Sequence, residues 1–477
     1  MIKKWIAKLL NRRRRPARNT MDMTSGPMLK NVVLFAWPLM LTGILQLLFN
    51  AADMIVVGRY SGAQAPQALA AVGSTSSLIN LLVNVFMGMS VGASVLVAQR
   101  WGARDQAAVS RAVHTAITVA LFSSVIVGAV GVIFAKPLLK MMDNPDDVID
   151  LAALYMRIYF LGMPANLLYN FGAAVLRAVG DTRRPLYYLT IAGAANVLLN
   201  LLLVIVFHLS VAGVAIATVV SQTISAVLVV LCLHRTHSAI HLDFKRLRIH
   251  APELKAIVRV GLPAGLQGSL FSISNVLIQS SVNGFGSIAM AGNTSASNLE
   301  GFIYTSMNSV YQADLTFTSQ NYGAGKADRV RRVMWVCLGT VAVIGLSMGL
   351  LFLALGPQLL SFYNGDPEVI KYGLMRMTII MPTYFLCGMM DTMVGQLRGV
   401  GCSILPMIVS LSGACLLRIV WIYTVFAQPA YHSLNVLYIS YPISWGVTFL
   451  IHLACWYAVG GRALAKITGQ TPALYEE

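Results

Sequence analysis

The sequence LRAVGDTRRP at residues 176–185 returns as LRGVGCSILP at residues 397–406, 221 residues further along the chain. Several positions carry the same residue in both copies: Leu176/Leu397, Arg177/Arg398, Val179/Val400, Gly180/Gly401 and Pro185/Pro406. A second motif repeats at the same spacing, because the QRWGA of residues 99–103 returns as the QNYGA of residues 320–324. Two distant motifs that share one spacing indicate that the chain consists of two related halves.

The composition is that of a membrane protein. Hydrophobic residues make up 57% of the 477 residues and charged residues only 11%, and the mean hydropathy is +0.70. Soluble proteins are typically about 45–50% apolar and about 25% charged. The apolar runs are continuous and long enough to cross a hydrocarbon core of about 30 Å, which favours helices and excludes the alternating strands of a barrel. We predict twelve spans, at residues 32–57, 69–98, 111–135, 150–172, 186–207, 211–233, 257–284, 288–318, 330–355, 371–394, 405–427 and 435–460.

The predicted fold class is an all-α polytopic membrane protein whose 12 transmembrane helices form two six-helix bundles. Because six is an even number, span 7 crosses the membrane in the same direction as span 1, so a pseudo-two-fold axis along the membrane normal relates the halves. Such repeats are typical of transporters and predict a central cavity between the lobes. The predicted domains are a basic N-terminal segment (1–30), an N-terminal lobe (31–233), a cytoplasmic linker (234–256), a C-terminal lobe (257–460) and a C-terminal tail (461–477).

The net charge of +17 is concentrated on one side of the predicted topology. With both termini in the cytoplasm, 28 of the 35 Lys and Arg residues fall in cytoplasmic segments, which is the positive-inside pattern. The charge therefore indicates a multi-pass orientation in the cell (cytoplasmic) membrane and attraction to the lipid bilayer, and we expect no nucleic-acid partner. Residues 1–19 combine cations with apolar residues at helical spacing, which favours a basic helix on the membrane surface over a disordered tail.

Polar residues form a stripe on one face of span 1. Gln46, Asn50 and Asp53 are spaced by four and three residues, so they share a helical face, and span 5 carries a shorter stripe of Asn196 and Asn200. An amide in hydrocarbon without a partner costs several kcal/mol, so these faces must meet protein or water. An Asp near the bilayer centre costs about 2.5–3.5 kcal/mol, and reversible protonation or cation binding is the usual reason to keep one. We interpret these residues together as a candidate ion-coupling site: Asp53, Asn50, Gln46, Asn196 and Asn200.

A second group of polar residues lies in the second half. Asn275 and Gln279 share a face of span 7, and Glu300 and Tyr304 share a face of span 8. Asp391 lies in span 10. We interpret these five residues as a candidate substrate-binding site in the predicted cavity.

The acids of the second half also allow structural interpretations. Glu300 is either a substrate or proton site or half of a buried ion pair. Asp391 either contributes to the site or pairs with Arg376 or Arg418. Asp314 lies near the predicted cytoplasmic end of span 8, where we expect it to cap the helix or reach the interface.

Signatures of enzymes and of ATP-driven pumps find no structural context in this sequence. The Gly-x-Ser-x-Gly pattern occurs at residues 88–92 and 345–349, but neither copy follows a strand, so we interpret both as helix-packing faces. Residues 323–326 lack the first glycine and the Ser or Thr of a phosphate loop. We therefore predict that the chain is not an enzyme, that it holds no metal or other cofactor, and that an ion gradient supplies the energy.

The chain resembles the multidrug and toxic compound extrusion (MATE) family. The resemblance rests on the acid late in span 1 (FNAADMIVVG, 49–58), on the Gln-x-x-Gly-Ala motif after spans 2 and 8, and on the doubled Leu-Arg-x-x-Gly motif. It implies two bundles that form a V-shaped cavity and rock between inward and outward states. It also implies export of cationic or amphipathic compounds in exchange for protons or sodium, with Asp53 as a coupling residue.

The chain departs from the family pattern at the ion site. Span 5 of the family often reads Asn-x-x-x-Asp, whereas the corresponding positions here are Asn196 and Asn200, so one acid is missing. Some sodium-coupled members carry a Glu early in span 7, whereas residues 257–284 contain no acid. Both H+ and Na+ therefore stay open as the coupling ion, with protons slightly favoured.

The expected partners are small-molecule substrates and the lipid bilayer, and the expected functional unit is a monomer. The alternative is a flippase of the same superfamily that moves lipid-linked oligosaccharides or peptidoglycan precursors. Such a flippase would be expected to carry more cations in its cavity for a pyrophosphate group, and the interiors of spans 1, 2, 7 and 8 contain no arginine. An intramembrane enzyme or receptor would need a catalytic pair or a metal cluster, and the sequence offers neither.

Overall fold

A computed structural model of the chain describes residues 20–60, 65–141 and 146–468. These residues are almost entirely helical, and none of them forms a β-strand. The basic surface helix predicted for residues 1–19 lies outside the described residues, as does the end of the predicted tail, 469–477.

The helices follow the predicted order of spans. In the first half, spans 1 to 6 are Met28–Tyr60, Ala65–Gly102, Gln106–Lys140, Asp146–Leu161 with Met163–Ala178, Arg183–Val206 and Ser210–Arg235. In the second half, spans 7 to 12 are Ala251–Asn283, Ser287–Gly323, Ala327–Ala354, Pro367–Thr383 with Phe385–Gly399, Ile404–Phe426 and Leu434–Ile467. Short helices at Phe244–Arg246 and Gly356–Ser361 lie in the connections.

The number of membrane crossings agrees with the sequence. Nine of the described helices are long and apolar enough to cross a membrane, and two bent pairs of helices, spans 4 and 10, raise the number to eleven. Span 8 is the twelfth; it is long enough, but one of its faces is polar. The predicted fold class of an all-α membrane protein with two six-helix bundles is confirmed.

The two bent spans occupy equivalent places in the two halves. The segments of span 4 meet at 49° and those of span 10 at 46°. A proline lies at each break, Pro164 in span 4 and Pro382 in span 10. Proline has no backbone N–H and its ring crowds the preceding turn, so a helix bends where proline interrupts it.

The repeated Leu-Arg motif ends spans 4 and 10 in the same way. Gly180 and Gly401 have φ values of +91° and +89°, a region that favours glycine. The next residue in each copy, Asp181 or Cys402, donates its backbone N–H to the carbonyl five residues earlier, at 2.9 and 3.0 Å. This arrangement closes a helix C-terminus around a left-handed glycine, which explains why both copies keep the glycine.

The two halves are in close contact at the end of the molecule that carries the linker, residues 234–256, here called the linker end. Span 2 packs along span 7, and the contact is made by glycines. A Cβ atom on Gly88 would lie 2.6 Å from the backbone oxygen of Gly261, and one on Gly92 would lie 2.8 Å from the Gly261 nitrogen. Residues without side chains let helix backbones approach this closely, so 88–92 is a packing face as predicted.

Toward the opposite end, the polar faces of the same spans are accessible. Asn84 Nδ2 still contacts Ser272 Oγ at 3.5 Å across the halves. Beyond this contact Asn80 of span 2 and Asn275 of span 7 are exposed. The structure is therefore closed at the linker end, while polar residues toward the other end remain accessible.

Candidate functional site

The first half brings three of the predicted coupling residues together. The side-chain amide of Asn200 donates a hydrogen bond to the carboxylate of Asp53 and a second one, of 3.3 Å, to Asn196 Oδ1. Both asparagines are buried, while Asp53 is half-buried. These three residues form a continuous group between spans 1 and 5, here called the amide–acid cluster.

The backbone at this cluster is irregular. Asn200 is the last residue of the α-helix of span 5, and residues Leu201–Val206 continue it as a π-helix. Single π-helical turns are rare and occur frequently at functional sites. Tyr155 of span 4 is a buried neighbour of Asp53 that the sequence patterns did not indicate.

The other two predicted coupling residues do not join the cluster. Gln46 and Asn50 are exposed on the face of span 1 that leads to Asp53. In the described part of the chain, no hydrogen bond connects either side chain to Asp53, Asn196 or Asn200. Their part in ion coupling therefore stays a prediction.

The chemistry of the cluster suits a proton or a small hard cation. The Oδ1 atom of Asn200 is buried and has no hydrogen-bond partner among the described residues. Carboxylate and amide carbonyl oxygens are the ligands that hard cations prefer. Asp53 supplies the negative charge, and Asn200 supplies a neutral oxygen beside it.

The second half contains a cavity of about 440 Å³ between spans 7, 8, 10, 11 and 12. A volume of this size falls in the range of small-molecule sites, which are typically about 300–1,000 Å³. The cavity is lined by all five predicted substrate-binding residues: Asn275, Gln279, Glu300, Tyr304 and Asp391.

Glu300 forms a buried ion pair. Its two carboxylate oxygens each accept a 2.7 Å hydrogen bond from Arg376 of span 10. A third nitrogen of the same guanidinium donates to Asn293 Oδ1 at 2.9 Å, and the Tyr438 hydroxyl donates to that oxygen at 3.1 Å. Of the two interpretations of Glu300, the geometry supports the buried pair.

The ion pair is connected to the polar face of span 7. The side-chain amide of Asn293 donates to Gln279 Oε1 at 2.9 Å, and Gln279 in turn donates to Asn283 Oδ1 at 3.0 Å. Asn275, one turn before Gln279, is exposed. The network therefore holds Gln279 in place and leaves Asn275 accessible.

Asp391 lines the cavity, which agrees with the first of its two interpretations. It is half-buried beside Tyr304, whose side chain is 40% exposed. Among the described residues no ion pair joins Asp391 to Arg376 or to Arg418, so the geometry does not support the pairing, which was the second of its two interpretations. Arg376 is paired with Glu300 instead.

Asp314 does not cap span 8 or reach an interface, so that expectation was wrong. The residue is 0% exposed, and both of its carboxylate oxygens are buried without a hydrogen-bond partner among the described residues, with Cys337 of span 9 beside them. A Cβ atom on Gly395 of span 10 would lie 3.1 Å from Asp314 Oδ2. Span 8 continues to Gly323, so Asp314 lies more than two turns inside the helix and faces its own bundle.

The two repeated motifs contact each other across the halves at the linker end. The side-chain amide of Gln99 in the first half donates to the backbone carbonyl of Gly399 in the second half, at 2.9 Å. The side-chain amide of Gln320 in the second half donates to the carbonyl of Ala178 in the first half, at 2.7 Å. These two hydrogen bonds, here called the motif latch, are related by the pseudo-two-fold axis.

The segment before span 1 crosses the same end of the molecule. The backbone N–H of Met21 donates to the Gly180 carbonyl of the first half at 3.4 Å. In the second half, Asn321 donates to the Met23 carbonyl at 3.1 Å and Lys326 to the Thr24 carbonyl at 2.7 Å. Residues 20–27 therefore form a strap, here called the N-terminal strap, that contacts both halves.

Comparison with known proteins supports the resemblance seen in the sequence. The MatE family model matches residues 38–203 and 263–424, once in each half. The chain is 27% identical over 434 residues to the probable multidrug resistance protein YoeA of Bacillus subtilis (strain 168), covering 88% of this chain and 92% of YoeA.

Two solved structures share the fold at 20% sequence identity. One is a MOP superfamily transporter from Pyrococcus furiosus, with a TM-score of 0.87 over 94% of this chain and 99% of that one. The other is an outward-facing multidrug resistance MATE family transporter of the MOP superfamily, with a TM-score of 0.85 over 96% of this chain and 100% of that one. With a family model matched in both halves, the chain belongs to the multidrug and toxic compound extrusion (MATE) family of multi-pass cell-membrane transporters.

Proposed function

We propose that this chain is a secondary active exporter that moves organic cations or amphipathic small molecules in exchange for H+ or Na+. The observation that carries the proposal is the separation of two polar sites, the amide–acid cluster in the first half and the cavity in the second. An ion and a cargo molecule that bind in different halves can be coupled through the arrangement of the halves without competing for the same atoms. The comparisons do not favour the flippase alternative.

Asp53 is the proposed coupling residue. A half-buried carboxylate in a membrane span is costly while it is charged, and binding a proton or a sodium ion removes that charge. The amide of Asn200 already donates to Asp53, so the acid is held at a defined position between spans 1 and 5. Loss or gain of the ion would therefore change how these two spans pack.

The positive-inside pattern supports an orientation with both termini and the linker end in the cytoplasm. In that orientation the structure is closed toward the cytoplasm. Loading of cargo from the cytoplasm then requires the motif latch and the glycine contact between spans 2 and 7 to separate. An ion can drive this step only by binding the closed and the open arrangement of the linker end with different affinity.

We propose that a single chain, which contains both halves, is the functional unit.

The test is dye efflux from proteoliposomes under proton and sodium gradients imposed separately. We expect one of the two gradients to drive efflux by the wild-type protein, and Asp53→Asn to abolish the driven component. Asp328→Asn removes an acid whose side chain is fully exposed at the start of span 9, so it serves as the control and should behave as wild type. Gradient-driven efflux by Asp53→Asn at the wild-type rate would remove Asp53 from the mechanism, and efflux that needs no gradient would refute the antiport itself.

A further inference from the structure

The cavity of the second half contains a buried arginine without an acidic partner. Arg418 of span 11 is 6% exposed and lines the cavity. Its Nε atom donates to Ser444 Oγ at 2.7 Å, while its Nη2 atom is buried and makes no hydrogen bond to a described residue. No ion pair joins Arg418 to a carboxylate within the described ranges. A buried guanidinium N–H group that donates no hydrogen bond costs free energy, so a group that accepts a hydrogen bond from Arg418 would be stabilised there.

The charges of the cavity do not supply the missing partner. The acidic residues that line it are Glu300 and Asp391, and the basic ones are Arg376 and Arg418. Both carboxylate oxygens of Glu300 accept hydrogen bonds from Arg376. Asp391 lies beside Tyr304 and forms no ion pair with a described residue. Among the described residues that line the cavity, the arginine without an ion pair is Arg418 and the acid without one is Asp391. The lining therefore has no excess of negative charge that would attract a simple organic cation.

Aromatic rings surround the arginine. The guanidinium carbon of Arg418 lies 4.2 Å from the ring centroid of Tyr441 and 5.3 Å from that of Trp445. The ring of Tyr384 lies 5.3 Å from that of Trp445, between centroids. Guanidinium groups that stack on aromatic faces remain able to bind a carboxylate or a phosphate in the plane of their N–H groups. Planar rings of a ligand can stack on the same walls.

The backbone around Arg418 is irregular, as it is at Leu201–Val206 in the first half, but the arginine itself is not repeated there. Arg418 lies in the short α-helical turn Leu417–Trp421, between π-helical segments at Leu411–Leu416 and Ile422–Phe426. At the 221-residue spacing of the repeat, the corresponding residue of the first half is Val197. The guanidinium is therefore particular to the cavity and is not required by the shared architecture.

We propose that Arg418 binds an acidic group of the transported molecule. This inference rests on the proposed export function and narrows the substrate class to amphiphiles that carry a carboxylate or phosphate group beside a planar ring system. The acidic group accepts hydrogen bonds from Arg418, the ring packs on Tyr441 and Trp445, and a positive group on the same molecule can face Asp391. Zwitterionic amphiphiles fit all of these features.

The test compares two dyes that differ only in the acidic group, namely rhodamine B and its ethyl ester. Binding to the purified full-length protein is measured by fluorescence anisotropy without any ion gradient. We expect the wild-type protein to bind rhodamine B at least about tenfold more tightly than the ester, which corresponds to one hydrogen-bonded charge pair. Arg418→Gln should reduce this ratio to within about twofold, by weakening binding of the acid while binding of the ester is retained.

Two further variants make the result specific. Arg332→Gln removes an exposed arginine at the linker end and should keep the wild-type ratio. Arg418→Lys keeps the charge but loses the planar fork, so its ratio should fall between those of wild type and Arg418→Gln. If Arg418→Gln is not monodisperse in size-exclusion chromatography, Arg418→Lys carries the test. The proposal is overturned if wild type does not favour the acid, if neither dye binds, or if the folded Arg418 variants keep the wild-type ratio.

The two proposals fail separately. Gradient-driven efflux of the ester with no preference for the acid would leave the export function standing and remove the assigned substrate class. A preference for the acid that depends on Arg418, together with efflux that no gradient drives, would leave the binding site standing and remove the antiport.

Discussion

The side-chain amide of Gln320 donates a 2.7 Å hydrogen bond to the backbone carbonyl of Ala178, 142 residues earlier in the chain and in the opposite half. The equivalent bond under the pseudo-two-fold rotation, from Gln99 to the carbonyl of Gly399, has a length of 2.9 Å. Each donor belongs to one repeated motif and each acceptor to the other, so the two motifs hold the halves together by a reciprocal contact. This contact lies where the proposed cycle must open.

Replacement of either latch glutamine should favour opening of the linker end. Gln320→Ala or Gln99→Ala removes one hydrogen bond worth about 0.5–1.5 kcal/mol and leaves a carbonyl without its partner. We expect each to raise the open population by roughly two- to tenfold, since about 1.4 kcal/mol corresponds to a factor of ten. Double electron–electron resonance between labels at exposed positions Gln106 and Asp328 measures the separation of the halves. Gln428→Ala, at an exposed position between spans 11 and 12, is the control.

The glycine contact between spans 2 and 7 should tolerate no side chain. A methyl group at Gly88 would overlap the backbone of span 7, and overpacking of this kind typically costs about 1–3 kcal/mol. Gly88→Ala should therefore destabilise the closed arrangement and lower the melting temperature in detergent. Gly73→Ala in the same span adds a methyl group with nothing within 4 Å and should leave the melting temperature unchanged or raise it slightly. Equal melting temperatures for both variants would contradict the close packing.

The Glu300–Arg376 pair should behave as a buried ion pair. Glu300→Gln leaves an unpaired guanidinium in the core and should cost roughly 3–5 kcal/mol of unfolding free energy. The double variant Glu300→Gln with Arg376→Met removes both charges and should be more stable than Glu300→Gln alone. Denaturant unfolding in mixed micelles measures Glu300→Gln, Arg376→Met and the double variant against wild type. A double variant whose destabilisation is the sum of the single effects would show that the two groups do not interact.

Asn200 should matter to ion coupling and not to ligand affinity in the second half. Asn200→Ala removes the amide that donates to Asp53 and the unpartnered oxygen beside it. We expect the ion concentration for half-maximal exchange to change at least about threefold. It should rise if the ion is Na+, which loses an oxygen ligand, and fall if the ion is H+, because the charged form of Asp53 loses a hydrogen-bond donor. Dye affinity measured without a gradient should stay within the error of wild type. Asn298→Ala, an exposed amide on span 8, is the matched control.

The architecture was predictable because it depends on local properties of the sequence. Apolar length defines the spans, and the 221-residue spacing shows which positions of the two halves are equivalent. Equivalence does not show contact, however. Nothing in the spacing indicates that Gln320 meets Ala178, since that depends on how the halves dock.

The site was predictable in part for the same reason. Helical spacing placed Asn275, Gln279, Glu300 and Tyr304 on faces that line the cavity, because a face is a local property. The pairing of Glu300 with Arg376 joins residues 76 positions apart, and two cations were equally plausible partners for the acids. Asp314 was misjudged because its position along span 8 does not reveal which neighbouring helices cover it.

The N-terminal strap reaches from Gly180 to Lys326, so it cannot remain attached at both points if the halves separate at the linker end. The hydrogen bonds of the strap to one of the two halves have to break whenever the linker end opens. Residues 20–27 would then be accessible to a protease, and the rate of cleavage within them would depend on how often the linker end opens. A segment that binds neither cargo nor ion would thus report the frequency of one step of the transport cycle.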